Sequence, residues 1–321
     1  MNNQLVRPTA QLASRAWNNL NGLFAVYKPS GMPVKYVRET IQTSLIEDLN
    51  KLEQRPQKQL VKVVQDVARL EDTPNALMAV QVPSFADHPL VRGPLFSRIK
   101  VAVVSVGVDT KMSGVMVLSV KDGSKKIESY LGARMPKVYT VKGRFGIATD
   151  SHDAEGKIWQ KTSFKHVTCE KFDRVISNLE RKHQKVLFSN AGVDLESQEA
   201  YELAVRGLLR PFGEDLPPLI LNIRCIHFEP PDFELEIECI HETAQYLRKI
   251  VHDLAQDMKT SAVATLVRRT QDGPLTLDEA LLRKQWSLPY IDEGLRTCRP
   301  LLKKKMFSVR RKVEGILEET R

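Results

Sequence analysis

The sequence predicts an α+β fold, a mixed and mostly antiparallel sheet flanked by helices. Three observations carry that expectation. Residues 233–240, FELEIECI, alternate Phe233, Leu235, Ile237 and Cys239 with Glu234, Glu236 and Glu238, so one face of this strand is buried and the other is wet. Shortly afterwards Leu247, Ile250, Val251, Leu254, Ala255 and Met258 recur at helical spacing, with Thr243 placed to cap the start. Along the chain the strands come in groups with helices between the groups, which is the pattern of an α+β protein.

Taken in order, residues 1–21 precede the first strand. No Asp or Glu occurs before residue 39, and Leu12, Arg15, Ala16, Trp17 and Leu20 line up as a basic amphipathic turn or two. That composition fits a mitochondrial transit peptide, and it fits a flexible polar N-terminus equally. GLFAVY, residues 22–27, reads as a strand stopped by the turn Lys28-Pro29-Ser30-Gly31. Residues 39 to about 83 are helical in pattern, with Leu45, Leu49 and Leu52 near i, i+4, i+7 spacing. A Pro-punctuated stretch then leads into two β-branched runs, KVAVV and GVMVLSV, with Asp109 at the bend between them. KVYTVKGRFG gives a further strand and ATDSHDAEGK a polar loop. A helix follows with Phe172, Val175, Ile176 and Leu179 on one face and Thr168 as N-cap, and QEAYELAVRGLL reads as a second amphipathic helix. LILNIRCIHF and FELEIECI are the last strand pair before the helix capped by Thr243.

The formal net charge is +9. Clustered Lys and Arg favour anionic partners, nucleic acid ahead of a membrane surface, because counterion release from phosphates rewards them. No apolar run approaches the roughly 18 residues that would suggest a membrane span. Four cysteines without a C-x-x-C pair describe reduced thiols and an intracellular or organellar compartment. Cys225-Ile226-His227 and Cys239-Ile240-His241 could offer four zinc ligands only if two strands met in the right register; a half-buried Cys and an exposed His on each strand is the better reading, and no metal is expected. No phosphate-binding glycine loop is present, and Ser113 stands in no nucleophile elbow. Lys303, Lys304, Lys305, Arg310, Arg311 and Lys312 form either a solvated basic tail, residues 286–321, or a run that touches phosphates.

Asp109 has two readings of its own. It can be a turn acid that caps a bend. A carboxylate between apolar strands would otherwise drift toward its neutral form unless a cation held it ionised, and Arg248 on a packed helix is a natural cation. That pairing would make a nucleophile or a base.

Five motifs in consecutive order decide between these. GLFAVYKPSGMP, GVDTKMSGVMVL, KVYTVKGRFGIATDSHDAEG, QEAYELAVRGLLRP and YLRKIVHDLA together resemble the TruB family of pseudouridine synthases, most of all its mitochondrial members in animals, over residues 22–285. The resemblance implies the catalytic fold of that family and an enzyme that detaches uracil from ribose, turns the ring over and rejoins it through carbon, without metal or cofactor. It implies that Asp109 is the nucleophile, attacking sugar or base, or else a base at the sugar. Tyr139 would stack on the flipped uracil and assist removal of the ring proton, and Arg248 would pair with Asp109. RNA contacts would come from Lys28, Lys137, Tyr201, Arg206 and Tyr246. A uridine inside folded RNA must be extruded at a cost of a few kcal/mol and gripped by stacking, and a basic surface supplies the binding. The implied substrate is messenger or transfer RNA of the mitochondrial matrix, with other RNA-processing proteins of the organelle as partners.

The chain also departs from the family pattern. The usual His before the Asp is missing from AVVSVGVD, Val108 and Thr110 replace Leu and Pro, and Glu-Thr-Ala-Gln stands before Tyr246 where Gly-Thr is usual. Residues 40–97 form a family-atypical insertion expected to be helical, and the stretch after residue 285 is too short for the family's RNA-binding PUA domain. The missing His and the missing PUA domain motivate the rival expectation, a TruB-like RNA-binding or assembly protein that has lost turnover.

Overall fold

The computed structural model describes residues 12–53, 59–65, 77–84, 95–121, 124–190 and 217–319 with a few positions between them. Tyr201, Arg206 and the helix expected around them lie outside the described residues. The core is an eight-stranded mixed sheet, in agreement with the α+β expectation. Its strands are β1 (Gly22–Lys28), β4 (Val101–Val103), β5 (Ser113–Val120), β6 (Lys137–Phe145), β9 (Leu219–Glu229), β10 (Asp232–Ile240), β11 (Ala262–Asp272) and β12 (Leu275–Thr276). β2 (Gln59–Gln65) pairs with β3 (Leu77–Pro83), and β7 (Ile147–Thr149) with β8 (Ile158–Lys161), as separate hairpins.

The main path runs β1-β5-β11-β6-β10-β9. The β1–β5, β11–β6, β6–β10 and β10–β9 pairs are antiparallel, whereas β11 meets β5 in parallel through Arg268 and Arg269 opposite Ser113 and Gly114. Every residue of β5 is buried. Its apolar run SGVMVLSV is thus that of a strand covered on both faces, while β10 keeps the alternation of a half-wet strand.

Helices cover the sheet in two groups. α1 (Ala13–Asn19), α2 (Val34–Lys51), α3 (Ser124–Gly132) and α6 (Leu288–Glu319) accompany the β1–β5 side, where Val37, Ile41, Leu45 and Leu49 of α2 form one buried row at i, i+4 spacing. α4 (Cys169–Asn190) and α5 (Ala244–Asp257) cover the other side with Phe172, Ile176, Leu247, Val251 and Leu254. Thr243 caps α5 by accepting the N–H of Tyr246, and Thr168 begins α4 in the same way with Lys171.

Three boundaries differ from the sequence expectation. The helical pattern after residue 39 ends at Lys51, and the Val-rich QLVKVVQ and LMAVQVP form the β2–β3 hairpin instead, because β-branched residues favour the pleated backbone over the helix. Residues 1–21 are not all free of the fold: Ala13, Ala16 and Leu20 are buried, and Trp17 stacks on Phe96 with ring centroids 4.9 Å apart. The stretch from 286 onward is likewise no simple tail at its start, since Trp286, Leu288, Ile291, Leu295, Cys298 and Leu302 are buried against β1 and α2.

Candidate active site

Asp109 lies in the loop between β4 and β5. Two glycines let that loop and strand approach their neighbours. Gly107 adopts φ +76° and a Cβ there would meet the carbonyl oxygen of Glu242 at 2.4 Å; at Gly114, with φ +114°, it would meet the carbonyl oxygen of Arg269 at 2.0 Å. Only a residue without a side chain fits either place.

One oxygen of Asp109, Oδ1, accepts the N–H of Met112 at 2.8 Å, and Oδ2 accepts a guanidinium N–H of Arg248 on α5. The Asp109 side chain is 39% exposed and that of Arg248 8%. The carboxylate is therefore open to a cleft and not sealed between strands, and Arg248 rises from the packed side of the site to meet it. The cleft, about 570 Å³, is also lined by Lys111, Ser151, Asp153 and Gln245. Lys111 reaches Asp153 at 2.7 Å. Asp153 in turn accepts the N–H groups of Glu155 and Gly156 at 3.0 Å each, which folds the 150–157 loop over one wall. These bonds outweigh the desolvation of Asp153 and hold its carboxyl below the usual range.

Lys28 is 1% exposed. Its amine donates to the carbonyls of Pro29 at 3.0 Å, Thr110 at 2.9 Å and Met112 at 2.6 Å, so two of its three protons tie the loop that carries Asp109 to the turn after β1. Burial pushes its pKa down to about 8, opposed by Asp109. The expected RNA contact at Lys28 is thus corrected: the lysine is an internal strut of the nucleophile loop. Lys137 is half-buried, and its amine sits 3.0 Å from the buried carboxylate of Glu242. Tyr246 is half-buried. It bonds His183 of α4 at 3.2 Å, and burial pushes its pKa up to about 12.

Tyr139 stands on β6 with 1% of its surface exposed and does not line the cleft. Its hydroxyl donates to Glu242 and accepts the Nε–H of Arg269 at 2.8 Å. Burial holds its pKa well above the ordinary value, which Arg269 opposes and Glu242 reinforces. The fully buried Arg269 also donates to Asp272 at 3.0 Å and to the carbonyl of Val106, three residues before Asp109, at 2.8 Å. Met112, whose N–H holds Asp109, packs in the same cluster as Tyr139. Sequence reasoning missed Lys111, Glu242 and Arg269. Arg269 carried a signal, since an Arg-Arg pair in an otherwise apolar strand, followed by Asp272, is costly unless ion-paired.

The two C-x-H pairs are held apart by register. Cys225 stands opposite Leu235, and Cys239 opposite Ile220, so the pairs sit at different ends of the hairpin. Among the described residues no group of three His, Cys, Asp or Glu side chains could hold a metal ion.

Residues 98–244 match the family described as "TruB family pseudouridylate synthase (N terminal domain)". The chain is 44% identical over 294 residues, 90% of its length and 89% of the relative's, to "Pseudouridylate synthase TRUB2, mitochondrial" of Xenopus tropicalis. It is 44% identical over 290 residues to the Homo sapiens protein of the same name, covering 90% of this chain and 87% of that one. The chain belongs to the TruB family of pseudouridylate synthases. That family is one of isomerases, and the mixed, mostly antiparallel sheet is the fold expected of it. Among solved structures, an archaeal box H/ACA sRNP Nop10-Cbf5 complex is similar with a TM-score of 0.47 at 14% identity. That match covers 90% of this chain and spans 60% of the other. Asp109 and Arg248, drawn from two separate TruB-like motifs 139 residues apart in the chain, meet at one cleft.

Proposed function

We propose that this TruB-family protein isomerises uridine to pseudouridine in RNA at the Asp109 cleft, in the mitochondrial matrix. The observation that carries the reading is the charge-assisted pair of Asp109 and Arg248 at the mouth of a cleft large enough for an extruded nucleoside. Arg248 binds one carboxylate oxygen, and the Met112 N–H holds the other. Asp109 attacks the sugar or the base, or takes a proton at the sugar. In each case the N1–C1′ bond breaks, the ring turns, and a C5–C1′ bond forms as the C5 proton is lost to solvent and N1 gains one. Tyr139 is the platform for the extruded ring, a reading supported by its place in one cluster with Met112, whose N–H holds Asp109. Mitochondrial messenger or transfer RNA is the proposed substrate; the names of the relatives and the lack of acidic residues before position 39 support the mitochondrial part of that reading. RNA-processing proteins of the organelle are the proposed partners.

The test is tritium release from organellar RNA labelled at uridine C5, comparing wild type with Asp109→Asn. Asparagine can still accept the Met112 N–H, so the fold and RNA binding survive while release ceases. Salt-dependent RNA binding without release from either protein would sink the enzyme reading in favour of an RNA-binding protein.

A further inference from the structure

Glu242 plays no part in the reaction just described, and its surroundings call for one. It sits between β10 and α5 with its side chain 0% exposed. Oε1 receives the amine of Lys137 at 3.0 Å and the hydroxyl of Tyr139, with Arg269 at 3.7 Å. Oε2 has no hydrogen-bond partner among the described residues, and the side chain lines a second cavity of about 340 Å³. A buried carboxylate is costly unless cations and donors surround it. Two cations do so here, and the one neutral group it engages is the hydroxyl of the tyrosine assigned to the uracil. Tyr139 is thereby held from both sides. Arg269 donates to its oxygen and Glu242 accepts its O–H, so the ring cannot tilt or shift without breaking a charge-assisted bond. The backbone carbonyl of Glu242 also abuts Gly107, two residues before Asp109, so the residue that fixes the tyrosine borders the nucleophile loop as well.

We propose that Glu242 is a positioning residue, whose buried carboxylate holds the Tyr139 hydroxyl as a hydrogen-bond donor and so fixes the ring face that receives the extruded uracil. The inference rests on the proposed reading of Tyr139 as that platform. It gives Tyr139 a stacking role and withdraws it as the base at ring carbon five, because its proton is committed to Glu242.

The experiment is a double-mutant cycle on the full chain with Glu242→Gln, Tyr139→Phe and the pair, read by single-turnover tritium release and by RNA affinity. Glu242→Gln is expected to slow turnover on the order of 10²-fold, the cost of a misplaced positioning group, with RNA affinity unchanged. In the Tyr139→Phe background the same substitution is expected to cost nothing further. Ultraviolet titration gives a second readout, with Tyr139→Phe identifying the signal. Removing a carboxylate from beside a phenol eases its ionisation, so Tyr139 titrates at lower pH in Glu242→Gln than in wild type. Equal costs in both tyrosine backgrounds, or an unmoved titration, would overturn the proposal. Should Glu242→Gln fail to fold, Glu242→Asp retains the charge but falls one methylene short of the hydroxyl, and the same coupling to Tyr139→Phe is required of it. An inactive wild type would defeat the function reading alone, since the titration still judges the Glu242–Tyr139 bond.

Discussion

Three carbonyl oxygens, of Pro29, Thr110 and Met112, converge on the amine of Lys28, and two of them, Thr110 and Met112, belong to the loop that carries Asp109. A neutral amine has two N–H donors where the ammonium has three. As pH rises through about 8, one of those bonds and the nearby positive charge disappear together. The expected outcome is a rate profile that falls on its alkaline side near pH 8, and a Lys28→Met variant that is slow at every pH and lacks that limb. Stability moves the other way. The folded-state pKa is depressed, so between about 8 and the unfolded value of 10.5 the unfolded chain binds more protons, and this contribution to stability grows with pH across that window. Urea midpoints of wild type relative to Lys28→Met should rise between those limits. At this scale Asp109 and Arg248 were legible because an acid among apolar strands and an arginine on a packed helix each need an opposite charge. Lys28 and Lys137 were not, since a lysine's partner here is a loop carbonyl in one case and a distant buried carboxylate in the other. Glu242 was hidden for a related reason: it stands in the stretch that departs from the family pattern, where nothing local announces burial.

Between the elements, the approach of β5 to β11 is set by one missing side chain. A methyl group at Gly114 would lie 2.0 Å from the carbonyl oxygen of Arg269, which is backbone and cannot step aside, and the φ of +114° adds strain of its own. Gly114→Ala is expected to cost at least about 2 kcal/mol, read as a lowered urea midpoint with an unchanged slope. It should also depress turnover, since it separates Arg269 from the loop it holds. Alternation in β10 and the apolar row of α5 made these elements readable from sequence, because both follow one periodicity along one buried face. The β2–β3 hairpin was misread because its valines and leucines stand on a surface, with Leu60, Val61 and Val63 largely exposed, so no single face distinguished strand from helix. α1 and the start of α6 were read as tails because their burial depends on elements far away in sequence.

Across the molecule, one cluster of positive charge offers a surface that can be tested. Arg181, Lys182 and Lys185 of α4 line a shallow groove of about 470 Å³ together with Asp257. If RNA runs along it, replacing the three cations with alanine should lower the slope of log affinity against log salt by about 0.7 for each phosphate that is no longer neutralised, as measured by filter binding over a salt series. The sign of the net charge was plain from composition, but its placement was not, because helix faces are assigned only when their packing partners are known. The strand order also bears on how the protein comes into being. β11, late in the chain, lies between β5 and β6. A nascent chain stalled before Ala262 already contains Asp109, Tyr139 and Arg248, yet the edges of β5 and β6 that β11 occupies are bare. Bare edges invite pairing with other chains, and the link from Arg269 to Tyr139 and to the nucleophile loop does not exist. The insertion of a single strand therefore joins the two halves of the sheet and completes the proposed catalytic framework in the same event, so that an unfinished copy of the protein is a hazard for aggregation before it is ever an enzyme.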